Sequence, residues 1–442
     1  MIFDIEKYSK IPDGWSKVKL SDLADFNAKS WSKKDKPETI NYIDISSVST
    51  GKVAEPTEMK FDSAPSRARR KVDKGDIIIS TVRPNLKQFA LLDFNNDNLT
   101  ASTGFCTITP KKPEYTWLIY SVVTTDIFTE HLVRVAQGAA YPAIKPSDIS
   151  EAYIGLPPQE ELHKLNALIG ALWQKQTINE AMNQTLEKLA QRIFKSWFID
   201  FDPVKANKEG LPFDGLSPEI QALFPSEFED SELGMIPKGW EVKPFSSIAK
   251  LQTKSAKPAL EPEKEWVHYS IPAYDETQFP TLDLGETIKS NKYKMLENTI
   301  LVSKLNPRFK RIWFPYIESN DTSSVCSTEF MQFIPMHEDW YAYTLSYVIS
   351  NRFQSEMLKT VSGTTGSRQR AQPKEVSVIP ALIPSSEILE SFSGVALPLI
   401  RRHQDNLVQI HTLKNLRDRL LPKLVSGQIS VGEAEQELAE AV

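Results

Sequence analysis

Short runs of alternating apolar and polar residues, rich in β-branched and aromatic side chains, fill two stretches of this chain, and each gives way to a long segment with helical spacing. In the first stretch INYIDISSV from Ile40, GDIIISTV from Gly75 and FCTITP from Phe105 predict strands. WVHYSI, NTILVSKL and FMQFIP take those parts in the second. A helical segment follows each set, TWLIYSVVTTDIFTEHLVRVA and then DWYAYTLSYVISNRFQSEMLKTV. Next comes a glycine-bearing loop, QGAAYPAIKPSDI or SGTTGSRQRAQPKEV, and then an apolar strand that ends at Pro158 or Pro384.

The order is shared because the chain is duplicated. IPDGW at Ile11–Trp15 returns as IPKGW at Ile236–Trp240, an offset of 225 residues. GDIIISTVRPNLK, ending at Lys87, returns at an offset of 223 as NTILVSKLNPRFK, ending at Lys310, and STGFCTITP from Ser102 returns at 225 as STEFMQFIP. Gly138 answers Gly363. A unit this long is far outside solenoid periods of roughly 20 to 50 residues, so each copy is expected to be a domain with its own core. Two equivalent but non-identical halves suit a target that comes in two halves.

After each proline the spacing becomes helical and heptadic. Leu165, Leu172, Asn179, Leu186 and Ile193 recur every seven residues, as do their counterparts at an offset of 227, Phe392, Leu399, Asn406, Leu413 and Leu420. Leu168, Met182 and Leu189, three residues on, are expected to widen the stripe. The pattern predicts a two-helix coiled coil within one chain, antiparallel because the helices follow equivalent domains. Asn179 and Asn406 interrupt the seam, and a buried asparagine at such a position fixes register at some cost in stability. That role requires the two to lie within about two helical turns, roughly 11 Å, along the coil. The expected fold is α+β, with two pseudo-twofold related globular domains separated by two long antiparallel helices. Expected boundaries are 1–158 for the first domain, 159–199 for the central helix, 200–235 for a linker, 236–384 for the second domain, 385–425 for the C-terminal helix and 426–442 for an acidic tail.

Composition changes this picture only through where the charge lies. With 40% hydrophobic and 25% charged residues the chain reads as globular, and no run of apolar residues is long enough for a membrane span. MIFDIEKYSK lacks the layout of a signal peptide, so a cytoplasmic protein is expected. Two cysteines, Cys106 and Cys326, are too few for a disulfide framework. The net charge of −5 argues against a nucleic-acid partner, but the acidic residues concentrate in 200–235 and 426–442. Basic residues concentrate inside the repeats: Arg67, Arg69, Arg70, Lys71, Arg83 and Lys87 in the first, Lys304, Arg308, Lys310, Arg311, Arg368 and Arg370 in the second. Any one cluster reads as a solvated face; recurrence at equivalent places favours contact with phosphates.

Several chemistries are missing. There is no GxxxxGK[ST] loop for ATP, no glycine-rich loop after a strand for S-adenosylmethionine, and no histidine or cysteine spacing that suits zinc. Asn306-Pro307-Arg308-Phe309 is superficially like the Asn-Pro-Pro-aromatic site of amino-methyltransferases, yet its equivalent, Arg83-Pro84-Asn85-Leu86, has no such motif. No catalytic residue and no metal site is expected. The polar residues present suit duplex DNA instead, with basic runs on phosphates and loop residues on base edges. Arg83, Tyr141 and Lys145 are the first copy's candidates, and Thr364, Arg368, Gln369 and Arg370 the second's.

At this point the residues resemble the DNA specificity subunits of type I restriction-modification systems, over almost the whole chain. The resemblance is carried by IPDGW and IPKGW, by SELGMIPKGW, EKLAQRIFKSWFIDFDPV and LRDRLLPKLVSGQI, and by PPQEEL from Pro157; IPSSEI in the second copy keeps only Pro384 and Glu387 of that last motif. The resemblance implies two target recognition domains, each reading half of a bipartite, asymmetric sequence. It also implies long helices that dock two modification subunits, which carry S-adenosylmethionine and methylate adenine. Two restriction subunits would supply translocation and cleavage driven by ATP and Mg, and this chain would be non-catalytic and hold no cofactor. The competing readings are a self-sufficient DNA methyltransferase or nuclease, and a two-domain scaffold that binds proteins without touching bases.

A helix of roughly 38 residues spans about 57 Å, enough to place two domains on half-sites a little over one duplex turn, about 34 to 36 Å, apart. Spacer length is then a mechanical property of the coil. Four residues inserted into the first long helix are expected to shift the preferred spacer by about one or two base pairs. Binding to a series of duplexes of graded spacer measures this, and an unchanged optimum rules the coil out as a ruler.

Overall fold

In the computed structural model of the chain, residues 2–32, 34–362 and 369–441 are described. The chain divides into two compact units, one made of Met1–Thr177 with Thr412–Val442 and the other of Ile178–His411. Both are α+β. Among the described residues no helix is long and apolar enough to cross a membrane.

In the first unit Ala24–Phe26, Phe105–Pro110, Ile77–Ser80 and Phe89–Leu91 lie side by side in one sheet, in that order. A second sheet runs Thr57–Lys60, Thr39–Ile43, Leu99–Ser102, Ala68–Lys71. The second unit repeats both, as Ala249–Gln252, Phe330–Pro335, Ile300–Ser303, Ile312–Trp313 and as Ser255–Ala256, Lys292–Lys294, Ser324–Ser327, Glu265–Tyr269, Thr281–Leu284. The continuous apolar runs mark strands covered on both faces. Ile77 and Ile79 enter one core and Ile78 another; Ile300 and Val302 are divided from Leu301 in the same way.

Each predicted helical segment is two helices, Thr116–Val123 with Asp126–Val135 and Tyr341–Ile349 with Asn351–Lys359. The break has a chemical cause: the hydroxyls of Thr125 and Ser350 accept from the amides of Phe128 and Phe353, both at 3.3 Å, and cap the second helix. The ends of each domain are tied together. Ser16–Lys19 pairs antiparallel with Tyr153–Leu156, and Glu241–Pro244 with Pro380–Ile383. Each closing strand leads within a few residues into a helix of 40 residues, Gln159–Phe198 or Ser386–Val425.

The seam of those helices differs from expectation in its second column. Ile169, Gln176, Asn183, Ala190 and Trp197 are buried four residues after the heptad positions, whereas Leu189, expected to flank the seam, is 43% exposed. Leu168 and Met182 are half-buried. Columns three and four residues on both repeat every seven residues, but they lie on opposite sides of the heptad column, and here the side four residues on is the buried one. Leu165, Leu172, Asn179, Phe392, Asn406, Leu413 and Leu420 are buried; Leu186, Ile193 and Leu399 are half-buried.

Asn179 and Asn406 are both fully buried, but they are not each other's partners. Asn406 donates to Asn183 Oδ1 at 2.8 Å, Asn183 donates to the His403 carbonyl at 3.2 Å, and Asn179 donates to Gln409 Oε1 at 3.0 Å. Rising numbers meet falling ones, so the helices run antiparallel in the second unit. Asn183 takes the place expected of Asn179, one turn or about 6 Å away.

The segments expected as a linker and as an acidic tail both contain regular structure. Residues 200–235 contain the helix Asp202–Glu209 and a hairpin of Phe228–Ser231 with Gly234–Pro237, and Val204 and Phe224 enter the core beside Trp197. In 426–442 the acidic stretch forms the helix Val431–Ala441, which packs Val431, Ala434 and Leu438 against Leu165, Ile169 and Leu420. Ser430 and Glu433 close a capping box at its start: the Ser430 amide donates to Glu433 Oε2 at 2.7 Å, and the Glu433 amide to the Ser430 hydroxyl at 3.3 Å.

Asn406→Leu strands the Asn183 carbonyl oxygen and is expected to destabilise the chain by about 1–3 kcal/mol. Asn183→Leu with Asn406→Leu is expected to cost less than the sum of the single changes. Urea midpoints of the four proteins measure the coupling, and strict additivity rejects it.

Candidate nucleic-acid interface

The turn that follows the central strand is built identically in the two units from different residues. Ser80 and Ser303 hydroxyls donate to the carbonyls of Val82 and Leu305, at 2.9 and 3.0 Å. The Thr81 amide donates to the Gly104 carbonyl at 2.8 Å and that of Lys304 to Glu329 at 3.0 Å. The Arg83 amide donates to the Pro142 carbonyl at 2.7 Å, and that of Asn306 to Gln369 at 2.8 Å. The Ile144 and Ala371 amides return bonds of 2.9 Å to Thr81 and Lys304. Inside the turn, Leu86 and Phe309 amides donate to Arg83 and Asn306 carbonyls at 2.9 and 3.0 Å.

These main-chain bonds lock the turn to the glycine-bearing loop. They also hold Arg83 and Asn306 in the left-handed region, at φ of 50° and 47°. A side chain there is sterically costly, and such residues persist only where the surroundings over-determine them. The prolines that follow, Pro84 and Pro307, are buried beneath the turn.

Several expected side chains meet on this frame. In the first unit the Arg83 guanidinium lies 4.6 Å from the centre of the Tyr141 ring, which is 69% exposed. Lys145 opens the short helix Pro146–Ser150, its amide capped by Asp148 at 2.7 Å, and its side chain is exposed. Lys87 pairs with Asp126 at 2.6 Å. The basic run lies on the edge strand Ala68–Lys71 and just before it. Arg67 is held by Asp44 at 2.7 Å, Arg69 lies over Phe61 at 4.8 Å, and Lys71 over Trp31 at 4.4 Å. The Arg67 carbonyl accepts from Thr103, next to the Gly104 that holds Thr81, so the run and the turn share one connection.

In the second unit Lys304, Arg308 and Lys310 stand on the equivalent turn, with Arg308 at 4.8 Å from the Phe309 ring. Arg370 donates from one guanidinium edge, through Nε and Nη2, to both oxygens of Glu329 at 3.0 and 3.1 Å, and Gln369 is half-exposed beside it. Thr364 and Arg368 lie outside the described residues.

Two expected phosphate cations are engaged internally. Arg311 forms a bidentate pair with Asp275, at 2.6 and 2.9 Å, and only 13% of its side chain is exposed. Arg70 turns inward, its Nη1 donating to Ser30 at 3.4 Å and its Nε buried. Fork-to-carboxylate geometry makes the Arg311 pair strong and specific, which removes that charge from the surface. Asp44, Asp126, Asp275 and Glu329 were not foreseen; they are distant in sequence from the cations they hold. Leu86 and Phe309, which the 223-residue offset aligns, are apolar yet 51% and 49% exposed.

Cys106 and Cys326 are buried, and burial pushes both thiols up to about 12, so neither supplies a thiolate near neutral pH. Among the described residues no group of three or more His, Cys, Asp or Glu side chains is placed to hold a metal ion.

Residues 12–189 match the family described as "Type I restriction modification DNA specificity domain". The chain is 24% identical to the type I restriction enzyme HindI specificity subunit of Haemophilus influenzae, over 94% of this chain and 99% of that protein. It is 28% identical to the MjaIX specificity subunit of Methanocaldococcus jannaschii, over 81% and 79%. The fold is similar to a solved type I restriction-modification S subunit from M. genitalium, with a TM-score of 0.52 at 16% identity, covering 94% of this chain and 96% of that one.

The pairing of cations predicts two kinds of variant. In duplex titrations against salt, Arg308→Gln is expected to lower the magnitude of the log K against log salt slope by about one. Arg311→Gln is expected to leave that slope unchanged and to lower the urea midpoint instead. A change in slope at Arg311 alone overturns the assignment.

Proposed function

The chain belongs to the type I restriction-modification DNA specificity family, and from that premise we propose that it selects the DNA sequence on which such a complex acts, without catalysing a reaction itself. Its two copies, residues 1–158 and 236–384, act as target recognition domains for the two halves of a bipartite, asymmetric duplex target. The observation that carries this reading is the repeated turn: one main-chain frame, locked by equivalent bonds in both copies, presents Arg83, Leu86 and Lys87 in one and Arg308, Phe309 and Lys310 in the other. Identical frames with different side chains are what reading two different half-sites requires. Arginine suits guanine and asparagine suits adenine, each good pair contributing about 1–3 kcal/mol of discrimination.

Arg67, Arg69, Lys71, Lys145, Lys304, Arg308 and Lys310 position the duplex through its phosphates, with Lys87, Arg370, Gln369 and Tyr141 close to the bases. Thr364 and Arg368 are assigned to the same surface from sequence alone. The partners are two modification subunits, which carry S-adenosylmethionine, and two restriction subunits, which use ATP and Mg, all in the cytoplasm. The long helices at 159–199 and 385–425 dock the modification subunits.

Sequencing the methylated genome of cells that express this chain with its modification partner tests the proposal. The expected result is a bipartite adenine motif that disappears when this chain is deleted. Methylation by the purified chain alone establishes the self-sufficient enzyme instead, and a motif that survives deletion overturns the proposal.

A further inference from the structure

Single exposed apolar residues are ordinary on a protein surface, but Leu86 and Phe309 are exposed under unusual constraint. They occupy the same position in the two copies, three residues after the left-handed Arg83 and Asn306, and about half of each side chain is exposed. Their backbones are fixed by equivalent hydrogen bonds from their own amides. The proline two residues before each is buried, so the turn cannot roll the apolar side chain inward without breaking the lock to the glycine-bearing loop. The frame therefore holds an apolar tip in water in both domains.

The rim of each tip is cationic. Leu86 lies between Arg83 and Lys87 in the chain. Phe309 has Arg308 at 4.8 Å from its ring, with Lys310 next in sequence. An apolar point ringed by positive charge does not suit an apolar protein groove, where buried cations would be stranded. It suits a duplex, whose phosphates meet the cations while base edges and the thymine methyl offer apolar surface within the groove. We infer that Leu86 and Phe309 are specificity-determining residues that touch bases, each in the half-site of its own domain. The inference rests on the proposed reading of bipartite DNA and adds two residues to it.

The test uses the complex of this chain with its modification subunit, with the methylated motif determined for the parent, Leu86→Ala, Phe309→Ala and Phe309→Leu, the last carrying the first copy's residue. Leu86→Ala is expected to relax discrimination about tenfold at one or two adjacent positions of one half-site, and Phe309→Ala at positions of the other half only. Phe309→Leu is expected to change preference at those same positions. Unchanged motifs in all three variants overturn the inference while leaving bipartite reading intact. Equal weakening on specific and random duplexes, or loss of assembly with the modification subunit, also overturns it. A parent complex with no bipartite motif fails the underlying reading instead.

Discussion

The fold of each domain depends on a short antiparallel pairing, in which the first strand of the domain is bonded to the last. Ser16–Lys19 with Tyr153–Leu156, and Glu241–Pro244 with Pro380–Ile383, join residues about 140 apart in sequence. Closing so long a loop costs entropy that only the packed domain recovers. Once closed, the pairing fixes where each domain delivers its chain to the following helix. It also makes each repeat a self-contained unit, so a turn near its middle is held between two anchored ends.

Within that enclosure the division of labour is between main chain and side chain. Strand pairing and the bonds from Thr81, Arg83 and Ile144, or Lys304, Asn306 and Ala371, use backbone groups alone. Carboxylates then sort the cations. Asp275 draws Arg311 into the domain, while Asp44 and Glu329 orient Arg67 and Arg370 without burying them. An ordered guanidinium loses less entropy when it meets a planar acceptor than a free one does.

The architecture was legible in the sequence because it is written twice. Strand runs, the glycine-bearing loops and both long helices could be checked against a second copy. What was missed has physical reasons. The second seam column contains Gln176, Asn183 and Ala190, which a search for apolar residues passes over, so Leu189 was chosen in their place. The helix Val431–Ala441 was hidden by its acidic composition, although Ser430 and Glu433 spell a capping box. Ion pairs such as Asp275–Arg311 join positions 36 residues apart with no local signal. In the repeated turn the positive φ at Asn306 suits asparagine, but the arginine at the equivalent Arg83 gives no such signal. The alignment of the two copies pairs Asn306-Pro307 with Arg83-Pro84, but it carries no signal of the backbone conformation that the two pairs share.

The backbone lock on that turn has an evolutionary corollary. Because the lock is made by the amides of Arg83 and Asn306, folding constrains these positions through their left-handed backbone and not through a side-chain hydrogen bond. On the proposed reading, the sequence preference of each half can change among the residues that tolerate this backbone while the fold is kept. Heritable change in what is recognised is decoupled from heritable change in whether the protein survives in the cell.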